Sequence, residues 1–266
     1  MPRLIVLKFG GSVLTDAKRL RIAVHEIYRW RREGWQVVAV VSALHGRTDA
    51  LEADLHPHAD PHARASYLAS GEREAASLLG VQLDRAGLPA SVFGPGQIGL
   101  LATGHPLDAH PYDVDRERLR DALDRDGVVV VPGFIANDTD GRIVTLGRGG
   151  SDLTALFLAH ALDADRCRLI KDVDGLYDDD PARAGARRYD AATFEDALDT
   201  DGSIVQHKAV HFAIEHERPF ELGRCNGTRP TSIGPGPTTF GEPDLPRPLR
   251  VAILGHGCVG GGVLDL

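Results

Sequence analysis

Short unbroken apolar runs along the chain alternate with stretches in which apolar residues recur every three or four positions. Leu4-Ile5-Val6-Leu7 and the run 37–41 are of the first kind, which suits strands covered on both faces. Between them, Leu20, Ala23, Val24, Ile27 and Tyr28 mark one face of a helix expected over 17–32, with Asp16 as its N-cap and Gly34 as its stop. Strand, glycine turn, helix and strand in that order are the grammar of a parallel α/β sheet. The same reading expects helices over 63–85, 115–125, 151–162 and 207–216, and strands over 90–93, 128–131 and 168–170.

After Gly223 the pattern breaks up, and proline and glycine become too frequent for a helix or a central strand. The expected organisation is one domain over 1–233, a linker over 234–248, and a strand with a glycine turn over 249–266.

Composition narrows the classes. The 266 residues carry a formal net charge of −8 and no basic tract, which argues against a nucleic-acid partner. No apolar run approaches the ~20 residues of a membrane span, and the chain opens directly into a strand pattern. Cys167, Cys225 and Cys258 are scattered and lack metal-ligand spacing, so no metal site is expected among them and a reducing, cytoplasmic setting is. His56, His58 and His62 lie among prolines in a polar stretch and read as a surface loop.

Four segments carry candidate chemistry. In Lys8-Phe9-Gly10-Gly11-Ser12, a strand delivers a lysine to the carboxyl edge of a sheet, beside a turn whose amides can approach an anion. In Thr145-Leu146-Gly147-Arg148-Gly149-Gly150-Ser151-Asp152, three glycines surround an arginine suited to a carboxylate, and Ser151 or Asp152 is expected to cap the next helix. Lys171-Asp172-Val173-Asp174-Gly175-Leu176-Tyr177 follows another strand; Asp172 could orient a nucleotide and Tyr177 line a base pocket, or the segment is a plain acidic turn. Ser42 to Thr48, closing the second strand, and Ser70-Gly71-Glu72 downstream carry weak signals of their own. No G-x-x-x-x-G-K-[ST] string occurs, so a nucleotide site here is not a P-loop.

Taken together, K-F-G-G, S-x-x-x-G-x-T, S-G-E, T-L-G-R-G-G-S-D and D-V-D-G-L-Y-x-x-D-P, in this order over 3–233, resemble the aspartokinase branch of the amino acid kinase family. The resemblance implies a three-layer αβα sandwich with a mostly parallel central sheet. It implies ATP and Mg²⁺ as cofactors, L-aspartate as substrate, a homodimer, and the first step of lysine, threonine and methionine biosynthesis, giving 4-phospho-L-aspartate. By the same resemblance Lys8 and Asp152 are catalytic, and Lys8, Gly10, Gly11, Ser12, Lys171, Asp172 and Tyr177 face the nucleotide. Ser42, Thr48, Glu72, Phe134, Arg148 and Ser151 surround the amino acid, with Glu72 and Asp152 on its amino group and Arg148 on a carboxylate.

The chain departs from that pattern in a shorter segment between Thr48 and Glu72, which trims part of the helical amino-acid lobe, and at three places on the ATP side. Position 171 is Lys instead of Thr, and position 182 is Ala instead of Arg. The stretch 202–208 reads Gly-Ser-Ile-Val-Gln-His-Lys and lacks the expected lysine, with Ile204 in its place. Two other readings stay open: a uridylate kinase-like enzyme of the same family, and an inactive kinase-like scaffold for a homoserine dehydrogenase. The strand 249–254 with Gly255, Gly257 and Gly260 resembles the start of that dehydrogenase's dinucleotide domain.

Overall fold

The computed structural model describes residues 2–244, apart from 17, 18, 57, 201 and 203. The strand and turn expected over 249–266 therefore lie outside the described residues.

Strands β1 (Leu4–Phe9), β2 (Gln36–Val41), β3 (Ser91–Val92), β6 (Val128–Pro132), β9 (Arg166–Ile170), β10 (Arg188–Ala192), β11 (Phe220–Gly223), β12 (Thr231–Ile233) and β13 (Thr239–Gly241) form one nine-stranded sheet. Their order is β13-β10-β12-β11-β9-β1-β2-β6-β3. Within this sheet, among the described residues, β11–β12 and β10–β13 pair antiparallel and the other neighbours parallel. A smaller sheet, β5-β4-β7-β8, is built from β4 (Leu101–His105), β5 (Asp108–Asp113), β7 (Ile135–Asn137) and β8 (Ile143–Thr145).

Alternation along the central strands explains the layers. Leu4, Val6, Val38, Val40, Val129 and Val131 belong to one buried cluster; Ile5, Leu7, Val37, Ala39, Val128 and Val130 belong to the other. Successive side chains of a strand point to opposite faces, so each face needs its own helical cover. Helices α1 (Leu20–Arg32) and α3 (Pro61–Arg85) cover one face, while α4 (Arg116–Asp126), α5 (Gly150–Ala161) and α7 (His207–Glu215) cover the other. Each valine so enclosed contributes about 1.5–3 kcal/mol. The expected three-layer α/β sandwich is thus the observed one. The short helices α2 (Arg47–Ala53) and α6 (Phe194–Leu198) and a 3-10 turn over Pro95–Ile98 complete the described elements.

Several boundaries differ from the sequence expectation. Helix α1 starts at Leu20 with Arg19 at its N-cap; Asp16 does not cap it, but accepts the Arg19 amide in the preceding turn at 2.9 Å. Helix α5 is capped by neither Ser151 nor Asp152. Its N-cap is Gly149 at φ 77°, and both side chains are buried in the first turn. A side chain at Gly149 would also run into Gln206, so this left-handed position suits glycine twice over. The ordered fold continues past residue 233: β13 pairs with β10, and the Asp244 amide donates to Asp174 Oδ2 at 2.7 Å. Within the proline-rich segment the sheet gains the edge strand β13, the position such a composition tolerates. Against the expectation from composition, it also gains the three-residue interior strand β12, paired with β10 on one side and β11 on the other. No helix among the described residues is long and apolar enough to cross a membrane.

Candidate active site

Strands β1, β2, β6 and β9 are neighbours and parallel, so their carboxyl ends meet at one sheet edge. That edge delivers Lys8, the Gly10–Ser12 turn, Ser42, Phe134 and Lys171 to one place. Opposite them stand α2, α3 and the start of α5. A cavity of about 500 Å³ opens between these elements.

Lys8 is the last inward residue of β1 on the α5 side, in the parity of Leu4 and Val6. It is only 5 % exposed, and its Nζ lies 2.7 Å from Asp152 Oδ1. Lys171, just past β9, reaches the same carboxylate at 2.9 Å through Oδ2. Burial, opposed by the Asp152 carboxylate and reinforced by the Lys171 charge, brings the Lys8 ammonium down to about 8. For Asp152, burial acts to raise the pKa, but the two ammonium groups outweigh it and hold the acid below its ordinary value.

Glu72 faces the cavity from α3. Burial raises its carboxyl to about 7, against the opposing pull of the Ala43 amide, which donates to Oε1 at 3.3 Å. Its Oε2 is buried and has no hydrogen-bond partner. A buried acceptor left in this state is costly unless a donor arrives. Arg148, on the loop before α5, is exposed and has no ion pair among the described residues. The cavity therefore offers a cationic floor, an acidic wall and a free guanidinium at its rim.

The loop that carries Arg148 is fixed on both sides. The Leu146 amide donates to the Phe134 carbonyl at 2.7 Å, and the Phe134 amide donates to Thr154 Oγ1 at 3.1 Å. Phe134 adopts φ 68°, a left-handed conformation that costs a phenylalanine about 1–3 kcal/mol. Gly133 allows the close packing here, since a side chain on it would stand 2.8 Å from Ser151 Cβ.

Of the residues singled out from sequence, Lys8, Gly11, Ser12 and Lys171 line the cavity beside the sheet edge. Ser42 and Phe134 line it from loops, Thr48 from α2 and Glu72 from α3, and Arg148, Ser151 and Asp152 from the α5 side. Gly10 lies just behind, where an added Cβ would be 3.3 Å from Lys8 Nζ. Asp172 and Tyr177 are not part of this wall. Asp172 is exposed beyond the sheet edge, and the Tyr177 hydroxyl donates to Asp174 at 3.1 Å.

Arg64 was missed by the sequence reading, and its Nε is buried without a hydrogen-bond partner. Arg64, Leu68 and Glu72 recur every fourth residue and line one side of the cavity. That spacing was readable within the expected helix. Gln206 and the hairpin residue Leu107 also reach the cavity, with no local sequence signal to mark them.

The chain matches the amino acid kinase family over residues 3–220. It is 35 % identical over 241 residues to the aspartokinase of Mycolicibacterium smegmatis, covering 88 % of this chain and 57 % of that one. It is 34 % identical over 230 residues to the aspartate kinase of Pseudomonas fluorescens, covering 82 % and 55 %. The chain thus spans a little over half the length of these curated relatives. Among solved structures, aspartate kinase from Synechocystis is 30 % identical, with a TM-score of 0.75 over 88 % of this chain and 40 % of that chain. UMP kinase from Bacillus anthracis shares the fold at 18 % identity, with a TM-score of 0.64. On the family match and these relatives, the chain belongs to the amino acid kinase family.

Proposed function

We propose that this chain phosphorylates the side-chain carboxylate of L-aspartate with ATP, giving 4-phospho-L-aspartate and ADP. The observation that carries the reading is the convergence of Lys8, Arg148 and Glu72 on one cavity. Aspartate presents an ammonium group, an α-carboxylate and a reacting carboxylate. Glu72 suits the first, Arg148 the second and the Lys8 end of the cavity the third. The names of the relatives point the same way.

The chemistry asks little of proton transfer. A free aspartate side chain has a pKa of about 3.9, so the nucleophile is already ionised at neutral pH. Its oxygen attacks the γ-phosphorus, the bond from that phosphorus to the bridging oxygen breaks, and ADP leaves. The difficulty is bringing two anions together, and Lys8 offsets their repulsion where charge accumulates. Asp152 holds the Lys8 ammonium in place at 2.7 Å. The glycine turn at 10–12 leaves room for phosphate oxygens near the strand ends.

Among the described residues no cluster of three acidic, histidine or cysteine groups forms a metal site. Mg²⁺ carried on the phosphates of ATP fits this arrangement, because Mg²⁺ keeps much of its shell as water and phosphate. Bound there, it would neutralise phosphate charge. The homodimer implied by the resemblance is retained as part of the proposal, and light scattering of the purified chain tests it.

Trapping aspartyl phosphate as its hydroxamate, with ATP, Mg²⁺ and L-aspartate, tests the activity. The wild type is expected to form product, and Lys8→Ala to lose at least ~10²-fold in rate. Product at equal rates from both proteins, or greater ADP release with UMP than with aspartate, would overturn the assignment.

A further inference from the structure

Lys171 is the feature that this reading leaves unused. The sequence contains four lysines: Lys8, Lys18, Lys171 and Lys208. Lys208 is committed elsewhere: its Nζ bonds Asp108 Oδ1 at 2.6 Å, the Leu146 carbonyl at 2.9 Å and the Ala109 carbonyl at 3.1 Å. Lys8 and Lys171 line the cavity, Lys8 near the end of β1 and Lys171 just past the end of the neighbouring β9.

Their arrangement has an electrostatic imbalance. Both ammonium groups bind the Asp152 carboxylate, Lys8 through Oδ1 and Lys171 through both oxygens at 2.9 and 3.2 Å. Asp152 is 2 % exposed, and the Lys171 side chain only 13 %. Two cations therefore share one anion at the cavity floor, and about one positive charge is left over. Holding Asp152 in place needs only one of them. A second, largely desolvated ammonium without its own counter-ion is costly, unless an anion binds beside it.

We propose that Lys171 is a second catalytic cation, which with Lys8 neutralises the transferring phosphoryl group, rather than a ligand of the nucleotide's base or ribose. The proposal rests on the kinase reading above. It also accounts for two sequence departures together. The lysine missing from 202–208 is replaced by one at the end of β9, and the Lys at that segment's end serves the hairpin instead. Asp152 then orients both amines, so that they meet the phosphoryl oxygens from two adjacent strands. The groups facing Lys8 are Asp152 from α5, Lys171 from the end of β9 and Glu72 from α3.

The test compares Lys171→Met and Lys171→Arg with the full wild-type chain. One measurement is calorimetric binding of Mg·ADP alone and of Mg·ADP with aluminium fluoride, which imitates the phosphoryl group in transfer. Lys171→Met is expected to weaken the fluoride complex by at least ten-fold while changing ADP binding less than three-fold. Lys171→Arg is expected to recover most of that loss. In hydroxamate assays, kcat for Lys171→Met falls ~10²-fold with little change in KM for ATP. The alkaline limb of kcat/KM also moves to higher pH, because Lys8 is freed from its repelling neighbour.

Equal weakening of ADP and of the fluoride complex would make Lys171 a nucleotide ligand and overturn the proposal. So would an unmoved alkaline limb, or a wild type that gains no affinity from the fluoride. A wild type that makes no aspartyl phosphate would defeat the aspartate assignment, while the two binding constants would still judge Lys171.

Discussion

Near pH 7 Glu72 is divided about equally between the neutral acid and the carboxylate, since burial raises its carboxyl to about that value. Its unfolded counterpart ionises near 4.5, so the folded chain binds the extra proton between about pH 4.5 and 7. Stability from this group is therefore present at low pH and lost as pH rises through that window. Glu72→Gln is expected to stabilise the ligand-free protein at pH 8 by up to about 3 kcal/mol. The gain should vanish below pH 4.5, as thermal denaturation at the two pH values would show. The same variant should lose activity, because the amide cannot pair with an ammonium group. Lys8 adds the opposite limb: it must be charged to act, and its ammonium titrates at about 8. A narrow bell in kcat/KM, with limbs near pH 7 and 8, is the expected profile for the free enzyme.

At this scale the sequence was informative where chemistry forces residue type. A strand-end lysine beside Gly10-Gly11 and an arginine among three glycines both lie on the cavity. Tyr177 was not separable from a plain turn, because its hydroxyl partner is Asp174, three residues away. Arg64 was hidden for another reason: an arginine on a helix is usually solvated, and only its stripe with Leu68 and Glu72 shows that it faces inward.

Among elements, strands such as β1, β2 and β6 were legible because burial on both faces leaves them nearly all apolar. The β4–β5 hairpin was not, since its strands are short and largely exposed. Strands β10 to β13 were missed as well, being at most five residues long. Yet the hairpin shapes the site. The Thr145 amide donates to the Pro106 carbonyl at 2.8 Å, and Lys208 ties the hairpin to the loop bearing Arg148. Lys208→Met should therefore release the hairpin tip and Leu146 together. The expected result is a rise in KM for aspartate of roughly ten-fold, equal to about 1.4 kcal/mol, with a smaller change in kcat. Steady-state kinetics at saturating ATP would check it.

For the whole molecule, the boundary expected at residue 233 leaves out groups on which the far end of the sheet depends. Asp244 accepts from the Thr228 amide at 2.8 Å and the Arg229 amide at 3.2 Å, and its own amide donates to Asp174. Phe240 of β13 stacks on Tyr189 of β10 with ring centroids 4.8 Å apart. A chain cut after Ile233 should melt several degrees below one cut after Asp244, because about 1–3 kcal/mol of bonded and stacked groups is lost. Calorimetry of the two truncations would decide. Family membership was legible because its motifs fall at strand ends, while the edge beyond β12 is held by pairings that leave little pattern in sequence.

Strands β1 and β9 are hydrogen-bonded neighbours near the middle of a nine-stranded sheet. The spacing of Lys8 and Lys171 is thus set by the stiffest part of the protein, whereas Glu72, Thr48 and Arg64 stand on helices packed over one side of it. Evolution could then exchange the acceptor by redrawing α2 and α3 while inheriting the phosphate-handling half intact. A laboratory search for new acceptors has the same natural division, with diversity placed in residues 47–72 and the strand termini left unaltered.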